Sequence, residues 1–369
     1  MLARPEAAEV RTWRAPGRVN LIGDHTDYQD GYCLPMAVDR ECRVSVAPAT
    51  SAGVRARSAQ IPGAVAVAAD GGTEPAAVAP PWGRFVAGAV AACVAAGARV
   101  DPCDLEITST VPAGSGMSSS SALAVALVIA FADRAGLDLD RTALARLALD
   151  AEVRATGVPG GLMDQMAALH AEAGHVLLLD CRTLTVDPIL LPRSLGVVVV
   201  HSGRARTLAG SAYAQRRAEV EAVAARLGVP TLRDATRPQV RDDPRARHVV
   251  TENARVLAFA DALRAGRTGE LGPLLLESHA SLRDDFGVST PELDRAVALL
   301  MEHGALGARL TGAGFGGCVV GLVQRNHADD VLARVARALV TAGVPQPLAF
   351  AVRPGTPAGE VSPGGTPVA

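Results

Sequence analysis

The stretch Pro112-Ala113-Gly114-Ser115-Gly116-Met117-Ser118-Ser119-Ser120-Ser121 joins a segment that alternates like a β-strand, residues 105–111, to an alanine-rich helical segment, residues 122–135. A strand, a glycine and serine loop and then a helix are suited to holding phosphate. Glycine lets the backbone approach a ligand closely, and free amides at the next helix's start favour an anion. A dinucleotide fold would want a third glycine where Ser119 stands, and a Walker A loop would want a lysine. The four consecutive serines instead offer hydroxyls to phosphate oxygens or Mg²⁺. Taken alone, the same letters also describe a glycine-rich turn whose serines cap the helix.

Beyond this loop, the chain has 369 residues with 36 basic and 38 acidic side chains, 49% hydrophobic and 20% charged, an ordinary soluble globular composition. At ~150 residues per domain, two domains are expected. No lysine occurs, so all 36 basic residues are arginine. A Walker A site, a protein kinase and a pyridoxal phosphate enzyme each need a lysine and are excluded. A net charge of -2 gives no broad positive field, and aromatic residues at 3% leave few platforms for bases, so nucleic acid is not an expected partner. The six cysteines (Cys33, Cys42, Cys93, Cys103, Cys181, Cys318) show no Cys-x-x-Cys spacing and read as reduced, mostly buried thiols. Residues 1–10 lack an apolar signal core, and the apolar stretch 85–97 is too short to span a bilayer. A cytoplasmic protein without a membrane partner is expected.

Residues 142–154 read as a helix, a glycine and proline break follows at 157–161, and helical character resumes over 162–170. Residues 176–179 and 197–200 read as buried strands flanking a domain boundary near 185. The second half alternates helices (211–227, 249–265, 291–303) with strands (309–311, 318–323, 349–352), an α+β pattern. Residues 61–83 are rich in glycine and proline and read as a flexible or turn-rich connection. From Pro354 the composition argues for a disordered tail. The expected organisation is therefore an N-terminal domain over 1–185, a C-terminal domain over 186–353 and a tail over 354–369.

Three further constellations carry chemistry. Glu152 and Asp164 flank the 157–161 break among apolar neighbours, as metal-binding or general-base acids do, although solvated helix-face carboxylates are the commoner outcome. Arg18, Asp24, His25 and Asp27 gather a fixed cation, two acids and a histidine behind one short apolar run, a set suited to a hydroxyl-rich ligand. Residues 310–318 interrupt a strand with four glycines, which weakens it unless a ligand or another backbone must approach.

In their order along the chain these elements resemble the GHMP small-molecule kinases, and among them the galactokinases. Gly17-Arg18-Val19-Asn20-Leu21-Ile22-Gly23-Asp24-His25-Thr26-Asp27-Tyr28 resembles the galactokinase signature, residues 112–122 the superfamily's phosphate loop, and residues 310–318 its third motif. Gly161-Leu162-Met163-Asp164-Gln165 and residues 278–286 look like stretches particular to galactokinases. The resemblance implies a two-domain α+β fold, with a ribosomal protein S5 domain 2-like N-terminal domain packed on a ferredoxin-like C-terminal domain. It implies ATP- and Mg²⁺-dependent phosphorylation of the C1 hydroxyl of galactose; a monomer is expected. Asp164 would be the catalytic base with Arg18 beside it, and Ser120 and Glu152 the Mg²⁺ ligands. Gly114, Ser115, Gly116, Met117, Ser118, Ser119 and Ser120 would wrap the nucleotide phosphates, Trp82 would lie beside adenine, and Asp24, His25, Asp27 and Tyr213 would contact the sugar.

Arg18 stands where mevalonate kinases carry lysine, which favours a sugar kinase. Two departures fall near the sugar. Galactokinases usually have glutamate where this chain has Asp24, so the carboxylate is shorter by one methylene; its candidate target is the hydroxyl on C6, and tolerance for changes there is expected. The family's arginine then histidine reads Ala205 then Arg206. A kinase for arabinose, galacturonate or N-acetylgalactosamine is the alternative substrate reading. Regulatory relatives that sense galactose and ATP have a shortened phosphate loop, whereas 116–122 is full length here and Asp164 is present.

Overall fold

A computed structural model of the chain describes residues 10–204 and 209–361. The first half runs β1 (Arg11–Asn20), β2 (Tyr32–Cys33), β3 (Pro35–Pro48), β4 (Val54–Ser58), β5 (Ala64–Val67), α1 (Gly83–Ala95) and β6 (Cys103–Ser109). It continues through α2 (Ser119–Arg134), α3 (Arg141–Thr156), α4 (Met163–Leu169), β7 (His175–Asp180) and β8 (Thr185–Leu190). The second half runs β9 (Leu195–His201), α5 (Ala209–Leu227), α6 (Pro244–Arg264), α7 (Leu271–Ala280), α8 (Pro291–Glu302), β10 (Gly307–Leu310), β11 (Cys318–Gln324), α9 (Ala328–Thr341), β12 (Ala349–Val352) and β13 (Gly359–Val361). Both halves mix helices with largely antiparallel sheet, as the α+β pattern expects.

Among the described residues the strands make three sheets, ordered β13-β1-β3-β6-β4-β5, β10-β11-β9-β12 and β2-β7-β8. Alternation decides which face of the first sheet is covered. Cys103, Leu105 and Ile107 of β6 are buried in one core with α1 and α2, while Glu106 between them faces solvent. Local chemistry sets the helix starts. Asp140, Asp243 and Thr290 accept the orphan amides of α3, α6 and α8, and a proline opens each of the last two. A second core fills the C-terminal half around Val198, Leu293 and Phe286. A third joins the halves, packing Leu21, Met36 and Met117 against Val197, Phe259 and Leu275.

The structure departs from the sequence reading in three places. Residues 61–83 are not only turns: β5 lies there, with Val65 and Val67 buried in the first core. The boundary near 185 falls at the start of β8, which pairs with β7 from Thr185↔Asp180 to Leu190↔His175, so that hairpin is one unit. Residues 354–361 are not a disordered tail. β13 pairs antiparallel with β1 and becomes the edge of the first sheet, Ala358 N–H donates to the Ala168 carbonyl at 2.8 Å, and Glu360 pairs with Arg11 at 2.6 Å. Composition counts apolar residues, and this segment is ordered by an open sheet edge and a charge instead. The six cysteines are free thiols, five of them buried. No helix among the described residues is long and apolar enough to cross a membrane.

Candidate active site

The centre of the site is a forked ion pair. Arg18 lies in β1 just past a bulge at Pro16, and its Nε and Nη2 donate to Asp164 Oδ1 and Oδ2 at 2.7 and 2.8 Å. The same guanidinium donates from Nη1 to the Gly116 carbonyl at 2.6 Å, and the Arg18 amide donates to the Met117 carbonyl at 3.1 Å. One arginine thus ties the strand, the glycine and serine loop and the first turn of α4 together. Gly17 makes this approach possible, because a Cβ there would stand 2.7 Å from the Met117 carbonyl oxygen. Ser118 and Ser121 also donate their hydroxyls to Asp164, the latter at 3.3 Å.

Left-handed backbone at Gly114, Gly116 and Ser118 curls the loop before α2 begins at Ser119. A cavity of about 480 Å³ opens against it, lined by Gly114, Gly116 and Ser118 to Ser121, by Glu152 and Asp164, and by Asp24, His25, Asp27 and Tyr213. Glu152 Oε2 accepts from the Ser121 hydroxyl and from Gln165 Nε2, both at 2.8 Å. Burial pushes the Glu152 carboxyl up, against hydrogen bonds from Ser120 and Ser121 that favour its charged form. Gln165 Oε1, beside it in the cavity wall, is buried and unpartnered. Serine hydroxyls, one carboxylate and an amide oxygen are hard donors that fit Mg²⁺ carrying phosphate oxygens and waters. Among the described residues no cluster of three His, Cys, Asp or Glu forms a complete protein cage for a metal.

The 24–27 segment forms a tight loop on the cavity wall. His25 has φ +65°. Its Nε2 faces the Ala313 carbonyl at 3.2 Å and so carries the proton, leaving Nδ1 to accept from the Tyr28 hydroxyl at 2.9 Å. The ring stacks on Phe286 and faces Tyr213, at centroid distances of 4.5 and 5.7 Å. Asp27 packs against Gly161, where a Cβ would stand 1.8 Å from its Oδ2. Burial, with the Asp164 and Asp24 carboxylates nearby, pushes Asp27 from 3.8 up to about 6.

A stability test follows, because a carboxyl raised in the fold penalises folding once ionised. The penalty grows as pH rises from about 4 to 6 and is constant above. Asp27→Asn is therefore expected to raise Tm by a few degrees at pH 8, with the gain shrinking as pH falls through 6 towards 4. A Tm difference independent of pH would remove the burial penalty from Asp27.

Asp24 is placed differently from its neighbours. It reaches the cavity wall, yet the residue is 2% exposed and its carboxylate faces Arg309 of β10 at 2.6 Å. Behind the loop, Glu252 Oε1 accepts from the Gly23 amide at 3.0 Å and from the Ser278 hydroxyl at 2.5 Å. Burial pushes Glu252 up, but Arg255 and Arg309 outweigh it and bring the group down to about 2. His248 Nε2 donates to the Asp24 carbonyl at 3.1 Å and Nδ1 accepts from the Ser281 hydroxyl at 2.9 Å; burial lowers this histidine to about 4.

Most residues singled out in the sequence meet here. Three do not present a side chain to the cavity. Trp82 is buried in the first core at the start of α1. The Ser115 hydroxyl donates to the Pro112 carbonyl at 2.7 Å, and Met117 is buried in the core that joins the halves. In those two the loop turns the side chain inward. Ala205 and Arg206 lie outside the described residues. Arg309, His248 and Glu252 escaped the sequence reading. Their one signal was two ionisable groups four residues apart on a helix, together with the serines of the 278–286 stretch that they contact.

Family matches agree with this architecture: the GHMP kinases N terminal domain matches residues 84–172 and the GHMP kinases C terminal domain residues 259–341, so fold and site define a small-molecule kinase of the GHMP class. A galactokinase galactose-binding signature matches residues 4–48. The chain is 44% identical to a galactokinase of Roseiflexus sp. (strain RS-1) over 86% of this chain and 84% of that protein, and 42% identical to one of Mycobacterium tuberculosis over 91% and 95%. The structure superposes on a galactokinase of Lactococcus lactis complexed with galactose with TM-score 0.88 at 29% identity, covering 96% and 95% of the two chains. A mevalonate kinase of Methanococcus jannaschii shares the fold at TM-score 0.71 and 16% identity. The chain belongs to the galactokinase family.

Proposed function

We propose that this chain transfers the γ-phosphoryl group of ATP to the C1 hydroxyl of galactose, giving galactose 1-phosphate. The observation that carries the reading is the Arg18–Asp164 fork, held where the phosphate loop and the 24–27 loop meet in one cavity. Phosphoryl transfer asks for alignment and charge neutralisation more than covalent chemistry. Asp164 orients the C1 hydroxyl and accepts its proton. Arg18 and the amides of residues 114–120 balance the negative charge on the moving group. His25, Asp27 and Tyr213 surround the sugar. Every one of these groups comes from a single chain, so a monomer suffices.

Ser120 and Glu152 would hold Mg²⁺, which supplies neutralisation of the nucleotide phosphates when bound. Glu152→Gln and Ser120→Ala are expected to raise the Mg²⁺ concentration for half-maximal activity by roughly tenfold or more, with galactose KM little changed. Titrations in which both variants saturate like the parent would exclude this assignment. The function itself is tested by ADP release over galactose, arabinose, galacturonate, N-acetylgalactosamine and mevalonate. A strong preference for galactose is expected, and preference for another member of the panel would overturn it.

A further inference from the structure

We propose that Cys33 and Cys181 are a redox pair whose reversible disulfide displaces the 24–27 loop and weakens sugar binding. Their sulfurs stand 3.8 Å apart, although the residues are 148 positions apart in the chain. The pairing of β2 with β7 brings them together. Tyr32 faces Asp180, Cys33 faces Leu179, and the Cys181 amide donates to the Gly31 carbonyl at 2.9 Å. Gly31 is thus opposite Cys181, and Cys33, two residues on, shares that face of the ladder.

The two thiols differ in access. Cys181 is part-exposed, whereas Cys33 is buried, and burial pushes its thiol well above the ordinary range. A hydroperoxide therefore meets Cys181 first. The Cys181 thiolate attacks one peroxide oxygen and becomes a sulfenic acid; the O–O bond breaks, and the departing hydroxide takes up the thiol's proton as water. The Cys33 sulfur then attacks the sulfenic sulfur. Its proton leaves with the sulfenic hydroxyl as a second water, and the S–S bond forms. Two thiols are oxidised and one hydrogen peroxide is reduced to two waters. A dithiol reverses the step by exchange.

Cys33 also touches the 24–27 loop from behind. Its Sγ lies 3.3 Å from the Thr26 hydroxyl, which is within hydrogen-bond reach of the Tyr32 and Gly23 carbonyls at 2.8 and 2.9 Å. The Thr26 carbonyl accepts the Gln29 and Gly31 amides at 3.0 and 2.9 Å, and a Cβ on Gly31 would stand 2.6 Å from the Thr26 Cβ. Thr26 is fully buried between His25 and Asp27, both of which line the cavity. A disulfide holds its sulfurs about 2.0 Å apart, so closing the pair from 3.8 Å draws Cys33 away from Thr26 and takes its S–H out of the contact. Interiors packed this closely transmit such a shift, and His25 and Asp27 move with Thr26.

The inference rests on the galactose reading, in which the 24–27 loop meets the sugar. Its test is a hydrogen peroxide titration of the full chain, followed by intact mass, peptide mapping and steady-state kinetics. The parent is expected to lose two hydrogens, with Cys33 and Cys181 recovered as one linked peptide pair. Galactose KM should rise about tenfold while the ATP KM stays within about twofold. Dithiothreitol should restore both mass and KM, which it would not do for oxidised methionine. Cys181→Ser, treated alike, should form no cross-link and keep its galactose KM. The parent titration and its reversal carry the test even where a variant fails to fold. Oxidation of Cys181 to a sulfinic acid without a cross-link would overturn the proposal, as would a cross-linked parent with unchanged galactose KM. Should the parent prefer another sugar of the panel, the galactose reading falls, and the same titration with that sugar decides the redox pair.

Discussion

Asp164→Asn is expected to lower kcat by about 10²- to 10⁴-fold while ATP still binds, because the amide keeps the side chain's shape but cannot accept the hydroxyl proton. The surroundings of Asp164 say what kind of base it is. Its two oxygens receive the Arg18 fork and the hydroxyls of Ser118 and Ser121. Those donors hold the carboxylate in one orientation at the cavity wall. A fixed orientation suits phosphoryl transfer, which asks for alignment of the attacking oxygen more than for covalent chemistry. The check is kcat with saturating galactose and ATP, alongside calorimetric ATP binding. Near-parental kcat would refute the base assignment, and a loss of only about tenfold would leave Asp164 a positioning role.

How much of this was legible in the sequence depended on distance along the chain. The phosphate loop was readable because strand, glycine loop and helix are contiguous, so local conformation alone places Gly114 to Ser121 at a helix start. Which loop side chains face the cavity was not readable. Left-handed backbone at Gly114, Gly116 and Ser118 turns Ser115 and Met117 inward between residues that line the cavity. Motif resemblance supplied Asp164 and Arg18 as partners, which spacing alone did not. Nothing local connects Asp24 to the C-terminal motif that holds it, 288 residues on at Gly312. The long pairing of β13 with β1 was hidden for the same reason. The family resemblance implies Trp82 beside adenine, whereas its side chain packs in the core under α1, where a large apolar ring is most stable.

Arg18→Met is expected to lower kcat by a similar ~10²- to 10³-fold, for a reason distinct from the loss of a base. Its guanidinium is the fixed positive charge between Asp164 and the phosphate loop, through the fork on one side and the Gly116 carbonyl on the other. Methionine fills the space but removes the charge and every side-chain bond. The Arg18 amide still donates to the Met117 carbonyl in any such variant, so the loop keeps one of its ties to β1 and the ATP KM should change less than kcat. Arg18→Lys keeps the charge without the planar fork and should fall between the parent and Arg18→Met. Because Arg18 and Asp164 act through one contact, the double variant Asp164→Asn/Arg18→Met should be only slightly worse than the poorer single. Steady-state kinetics on the four variants checks each of these statements. A methionine variant within about tenfold of the parent would remove Arg18 from the chemistry, and multiplicative losses in the double would show that the two residues act independently.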